Sequence, residues 1–152
     1  MDLHPDLRDL FSALAAASAE YLVVGGYAVA FHGRPRFTKD LHFWIGEEPQ
    51  NLARVLAARR AFGAPATALA ELQSAGPDDI VWMGAAPVQV EIFRTIAGVE
   101  FATAWAHRLS ATWAGVPVEI IGLDELLAAK RATAREQDLA DVRALERSKR
   151  RR

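Results

Sequence analysis

The chain contains no cysteine. That excludes disulfides and every metal site built on thiolates, the common structural zinc sites among them. Excess charge of either sign is also missing. Eighteen Lys and Arg stand against 19 Asp and Glu, so the formal charge of −1 argues neither for nor against a polyanionic partner. No apolar run is long enough to span a bilayer. The opening MDLHPDLRDL has acids and no basic flank before a hydrophobic segment. It does not read as a signal peptide, and a cytoplasmic protein is expected. The Ala/Arg-rich composition suits a GC-rich bacterial genome. Repeats and low-complexity linkers are absent too, so one domain is expected over residues 1–147, followed by a basic, frayed tail at 148–152. What the chain does have is apolar residues, 51% of 152, enough to bury a core.

Those residues fall into alternating helical and extended patterns. PDLRDLFSALAAASA spaces Leu7, Leu10, Phe11 and Leu14 as one helix face, with Pro5 at its start. EYLVVGG reads as a short buried strand ended by two glycines, and YAVAFHG as a short helix closed by Gly33. After the loop RPRF comes TKDLHFWI, a strand with Leu41, Phe43 and Ile45 on one face and Asp40, His42 and Trp44 on the other. Two helices follow, in EEPQNLARVLAARRAFG and ATALAELQSAG. DDIVWMG and PVQVEIFRTI then form a hairpin that sets Val88, Val90 and Ile92 opposite Gln89, Glu91 and Phe93. GVEFATAWAHRLSA is expected to be mostly helical, and TWAGVPVEIIG to be two strands about a Gly turn. Leu123 to about Arg147 reads as helix with a bend near Arg135. The order αβαβααββαββα implies an α+β fold with a small mixed sheet.

One constellation carries chemistry. A strand ends in Gly25-Gly26 and a helix begins at once, so backbone N–H groups can approach an anion closely. The next strand presents Asp40, and a later one presents Glu91. Two carboxylates, a divalent ion and phosphate oxygens are the usual ingredients of phosphoryl or nucleotidyl transfer.

These residues resemble the nucleotidyltransferase superfamily, the polymerase-beta-like fold, and more closely its small bacterial stand-alone members related to abortive-infection-type toxins. The likeness rests on Gly25, Gly26, His32, Gly33, Arg36, Thr38, Lys39 and Asp40, on Glu91 in VQVEIF, and on Lys130, Arg135, Asp138 and Asp141 in KRATAREQDLADV. It implies a small mixed sheet flanked by helices and catalytic acids Asp40 and Glu91. It implies nucleotide contacts from Gly25, Gly26, Arg36, Thr38, Lys39 and Lys130. A two-metal Mg²⁺ or Mn²⁺ site would use Asp40, His42 and Glu91. A nucleoside triphosphate would donate its nucleoside monophosphate to a hydroxyl on RNA, a protein or a small molecule. No membrane is implied, and a homodimer is compatible.

His42 departs from that pattern, which carries a second acid there. An imidazole is neutral and softer, better suited to Mn²⁺ or another transition metal than to Mg²⁺. Two further readings therefore stay open: an inactive nucleotide- or partner-binding member, as in a toxin–antitoxin pair, and a metal-dependent hydrolase using Asp40 and His42. The plain structural alternatives are a simple strand-to-helix turn at Gly25-Gly26, a packed His32, solvated Arg34 and Arg36, and helix-face ion pairs joining Asp138 and Asp141 to Arg135 and Arg143. The four tryptophans read as core or half-buried surface rather than stacking platforms.

Overall fold

The computed structural model describes residues 4–34, 38, 40–85 and 88–152. In chain order the elements are α1 (Pro5–Ala16), β1 (Tyr21–Val24), α2 (Gly25–Phe31), β2 (Asp40–Ile45), α3 (Pro49–Phe62), α4 (Ala66–Ser74) and β3 (Ile80–Ala85). Then come β4 (Val88–Phe93), α5 (Phe101–Ala106), β5 (Leu109–Trp113), β6 (Val116–Ile120), α6 (Leu123–Thr133) and α7 (Glu136–Arg150). The strands form one sheet in the order β3-β4-β2-β1-β6-β5. β2 with β4 and β1 with β6 are parallel, and the other neighbours are antiparallel. The expected α+β architecture, a mixed sheet flanked by helices, is the one observed. No helix among the described residues is long and apolar enough to cross a membrane.

Side-chain alternation sorts the layers. Phe43 packs against Phe11 of α1, ring centroids 5.3 Å apart, so α1 covers the Leu41/Phe43/Ile45 face together with α3. All four apolar positions of the α1 stripe are buried, as their spacing requires. Trp44 points the other way and packs edge-on against Phe101 of α5 at 5.1 Å. β1, central in the sheet, is buried at every residue.

Three expectations are corrected. The segment after Ala106 is not helical, because Leu109–Trp113 pairs in register with Val116–Ile120 across a turn at Ala114 and Gly115, both at positive φ. Ser110 Oγ also donates to Glu119 across that hairpin at 2.6 Å. Near Arg135 the helix breaks rather than bends, at Ala134 with φ of 50°. The basic composition of SKRRR predicts fraying, yet α7 runs to Arg150, with Lys149 Nζ donating to Asp124 at 2.7 Å.

Candidate active site

The parallel pairing of β2 with β4 decides which side chains meet. Its register sets His42 beside Glu91, while Val24 of β1 pairs with His42 and Trp82 of β3 with Glu91. One row thus crosses four strands. Asp40 lies two residues before His42, on the same face. Ligand atoms from Asp40, His42 and Glu91 all fall within 4.8 Å of one another. His42 Nε2 and Glu91 Oε2 are 2.9 Å apart.

The three residues fit a divalent ion by number, spacing and chemistry. Two carboxylates and one imidazole make an O,N,O donor set, which favours Mn²⁺ or a later transition metal over Mg²⁺. Glu91 is 8% exposed. Burial, and then the charge of Asp40, push its carboxyl above the usual range. A cation between the two acids relieves both effects. Tyr27 reports the same field: its hydroxyl is pushed up by burial and then by Asp40, so it stays a neutral donor.

Gly25 has a structural reason to be glycine. Its φ is +68°, and an added Cβ would lie 2.6 Å from His42 Nδ1. The β1–α2 turn therefore sits directly against the imidazole. Gly25 and His42 share a cleft of about 240 Å³ with Phe93, Thr95, Ile96 and Lys130. Gly26 is buried in the first turn of α2 and does not line it. Thr38 is half-buried, and its hydroxyl donates to the Asp40 carbonyl at 3.3 Å, steadying the start of β2. Arg36 and Lys39 lie outside the described residues.

Lys130 reaches the cleft wall already engaged. Its Nζ is 2.9 Å from Asp141 Oδ2 and 3.4 Å from Asp138 Oδ1. The break at Ala134 makes this contact. In an unbroken helix, residues 130 and 138 would stand about 12 Å apart along the axis. Asp141 is fully buried and also accepts from Arg34 Nη1 at 3.2 Å and Gln137 Nε2 at 3.1 Å. The ion-pair reading of Asp138 holds, with Arg135 Nε at 2.8 Å. Asp141 takes Lys130 and Arg34 as cations instead of forming a pair along its own helix face. Burial alone would raise Asp138, but hydrogen bonds from Arg135 and Thr133 and the charges of Lys130 and Arg135 outweigh it and hold the carboxyl at about 2.

The remaining histidines sit elsewhere. His32 is buried and pairs through Nε2 with the Ile121 carbonyl at 2.7 Å, the packing role expected at a helix end. His4 caps α1, accepting from the Asp6 amide. His107 pairs with Glu125. None joins the Asp40–His42–Glu91 group, which weakens the hydrolase reading. Trp82 is 50% exposed beside Glu91 on the edge strand.

No family model matches the chain, and no curated protein sequence matches it. Solved structures do. An antigenic nucleotidyltransferase-like protein from Paracoccidioides brasiliensis superposes with a TM-score of 0.53 at 16% identity, over 95% of this chain and 78% of that one. A provisionally assigned nucleotidyltransferase from Thermotoga maritima superposes with a TM-score of 0.57 at 13% identity, over 96% and 91%. The likeness is one of fold: the chain has the nucleotidyltransferase-like α+β architecture over nearly its whole length.

Proposed function

We propose that the protein is a metal-dependent nucleotidyltransferase acting through Asp40, His42 and Glu91. One observation carries this reading: on a nucleotidyltransferase-like fold, three ligand groups converge, and one of them, His42, lines a cleft that also holds Gly25 and Lys130. A divalent ion held by the three would supply positive charge against triphosphate oxygens. The chain's own groups do the rest. The Gly25 turn, free of a side chain, lets the phosphates approach, and Lys130 faces them across the cleft. The acceptor hydroxyl forms a bond to the alpha phosphorus as pyrophosphate leaves with its electron pair. The hydroxyl proton passes to one of the two carboxylates of the site, Asp40 or Glu91. An adjoining hollow shares Thr95 and Ile96 with the cleft and gives the acceptor room. An abortive-infection-type role, in which the acceptor is an RNA or protein, stays part of the proposal.

Two contacts favour a second reading, a nucleotide-binding member without turnover. Glu91 and His42 already satisfy each other at 2.9 Å, and the Lys130 ammonium is held by two aspartates. Alpha-labelled nucleoside triphosphates, supplied with Mg²⁺ or Mn²⁺ and with RNA or lysate as acceptor, separate the two. Label transferred by the natural chain and lost in Asp40→Ala supports the enzyme. Transfer only after His42→Asp supports the retired site. Silence from the natural chain and from His42→Asp, with no nucleotide bound, overturns both readings.

A further inference from the structure

Six of the chain's 18 Lys and Arg fall in residues 143–152, against Glu146 alone. That segment carries +5 in a chain whose total is −1, so the rest carries −6. The near-zero total hides a strong segregation of charge. The segment is also ordered, as the end of α7, so its cations have fixed places. Arg152 Nη2 donates to the His32 carbonyl at 3.4 Å, the Ser148 hydroxyl sits against Gly33, and Lys149 pairs with Asp124.

The buried face of α7 is Asp138, Asp141, Val142 and Leu145. Helical spacing turns Arg143, Arg147, Arg150 and Arg151 away from it, and all four are exposed. None of their guanidinium groups has a partner among the described residues, and Glu146 beside them is taken by Arg131. The acid Glu136 stands two turns before Arg143, so the basic surface begins at Arg143. Arg143, Arg147 and Arg151 step four residues apart along one ridge, with Arg150 next to it. Like charges at that spacing destabilise a helix. The helix dipole is answered by the last turn alone, so it does not account for Arg143. The ridge therefore asks what neutralises it.

Its chemistry selects the partner. Protein interfaces are anchored by large apolar and aromatic side chains, and the exposed side of α7 offers one, Leu139, 38% exposed. A helix lying on a membrane needs a free apolar face, whereas Val142 and Leu145 are buried in the domain. A nucleic-acid backbone needs neither. It is met by cations in a row, and the ridge sets one about every 6 Å along the axis.

We propose that Arg143, Arg147, Arg150 and Arg151 dock the phosphate backbone of a nucleic-acid strand. α7 begins at the cleft, which Arg135 and Asp138 line, and Arg143 stands about 12 Å further along the axis. One end of a docked strand is thus brought towards the cleft. Use of that end as acceptor rests on the transferase reading; the docking itself does not.

Fluorescence anisotropy of the full chain with labelled single-stranded RNA of about 16 nucleotides, without nucleotide or metal, tests it. DNA of the same sequence distinguishes the two sources of the backbone. Binding should saturate, and log affinity should fall with log salt at a slope of about −3, as four contacts to a single strand require. Arg143→Gln/Arg147→Gln should halve that slope and weaken binding at least about tenfold, with Tm unchanged or raised. Arg54→Gln/Arg60→Gln, which removes two exposed cations of α3, should leave the slope as it is. No binding of either strand, an unchanged slope in the ridge variant, or an equal loss in the α3 variant overturns the proposal. So does tighter binding of poly-glutamate or of phosphatidylserine vesicles than of either strand. With no nucleotide present, failure here leaves the transferase reading standing, and failure of label transfer leaves the docking standing.

Discussion

Replacing Asp141 by asparagine should destabilise the protein more than any other isosteric change around Lys130. Asp141 is fully buried and accepts from Lys130 at 2.9 Å, Arg34 at 3.2 Å and Gln137 at 3.1 Å. Asparagine keeps the shape and removes the charge, leaving two cations against a neutral amide. Breaking a buried ion pair from one side costs roughly 3–5 kcal/mol. The low end applies here, about 3 kcal/mol, because Lys130 keeps Asp138 at 3.4 Å and the Arg34 side chain, 34% exposed, can turn to water. In a chain of this size that lowers Tm by about 9 °C. Lys130→Met should cost less, since Asp138 retains Arg135 and Thr133, and Asp141 retains Arg34 and Gln137. The double variant should fall short of the sum by about 1–2 kcal/mol. Urea and thermal unfolding of the four proteins complete the cycle. A loss below about 1 kcal/mol in Asp141→Asn, or strict additivity, would refute the reasoning.

Gly25→Ala should cost about 2 kcal/mol or more, from the left-handed φ and the His42 contact, read by urea unfolding and by a shifted His42 imidazole resonance. Asp138 has a folded pKa of about 2 against an ordinary 3.8, so its contribution is fully present above 3.8 and lost as pH falls through 2. That loss is about 2 kcal/mol, and Asp138→Asn should flatten the stability profile in this window. Glu91 is shifted the other way, so stability should fall as pH rises from 4.5 through its raised folded value and stay lower above it. Glu91→Gln should remove that decline and be the more stable protein at neutral pH in the absence of metal.

Much of this was legible in the sequence where one pattern decides. The spacing of Leu7, Leu10, Phe11 and Leu14 defines a buried face, and alternation along Asp40–Ile45 puts Asp40 and His42 on one side. Register was not legible. Nothing local says that His42 pairs with Glu91 across a parallel contact 49 residues apart, rather than with a neighbour one step along. The break at Ala134 was hidden for a related reason. Alanine is the best helix former, and its left-handed φ goes with contacts that no local pattern shows: Lys130 with Asp138 and Asp141, and the Asp138 cap on Arg135. LSATW lacks strong alternation and becomes a strand because Val116–Ile120 gives it a ladder. The burial of Arg59 was not legible either, because it depends on α1 and α4 packing against α3.

The most direct test of the central claim is a Mn²⁺ titration of the full chain followed by electron paramagnetic resonance, which reads free and bound ion without requiring turnover. The account predicts saturable binding that is abolished by Asp40→Ala, abolished by Glu91→Gln and weakened by His42→Ala. Absence of binding, or binding that survives Asp40→Ala unchanged, would contradict it.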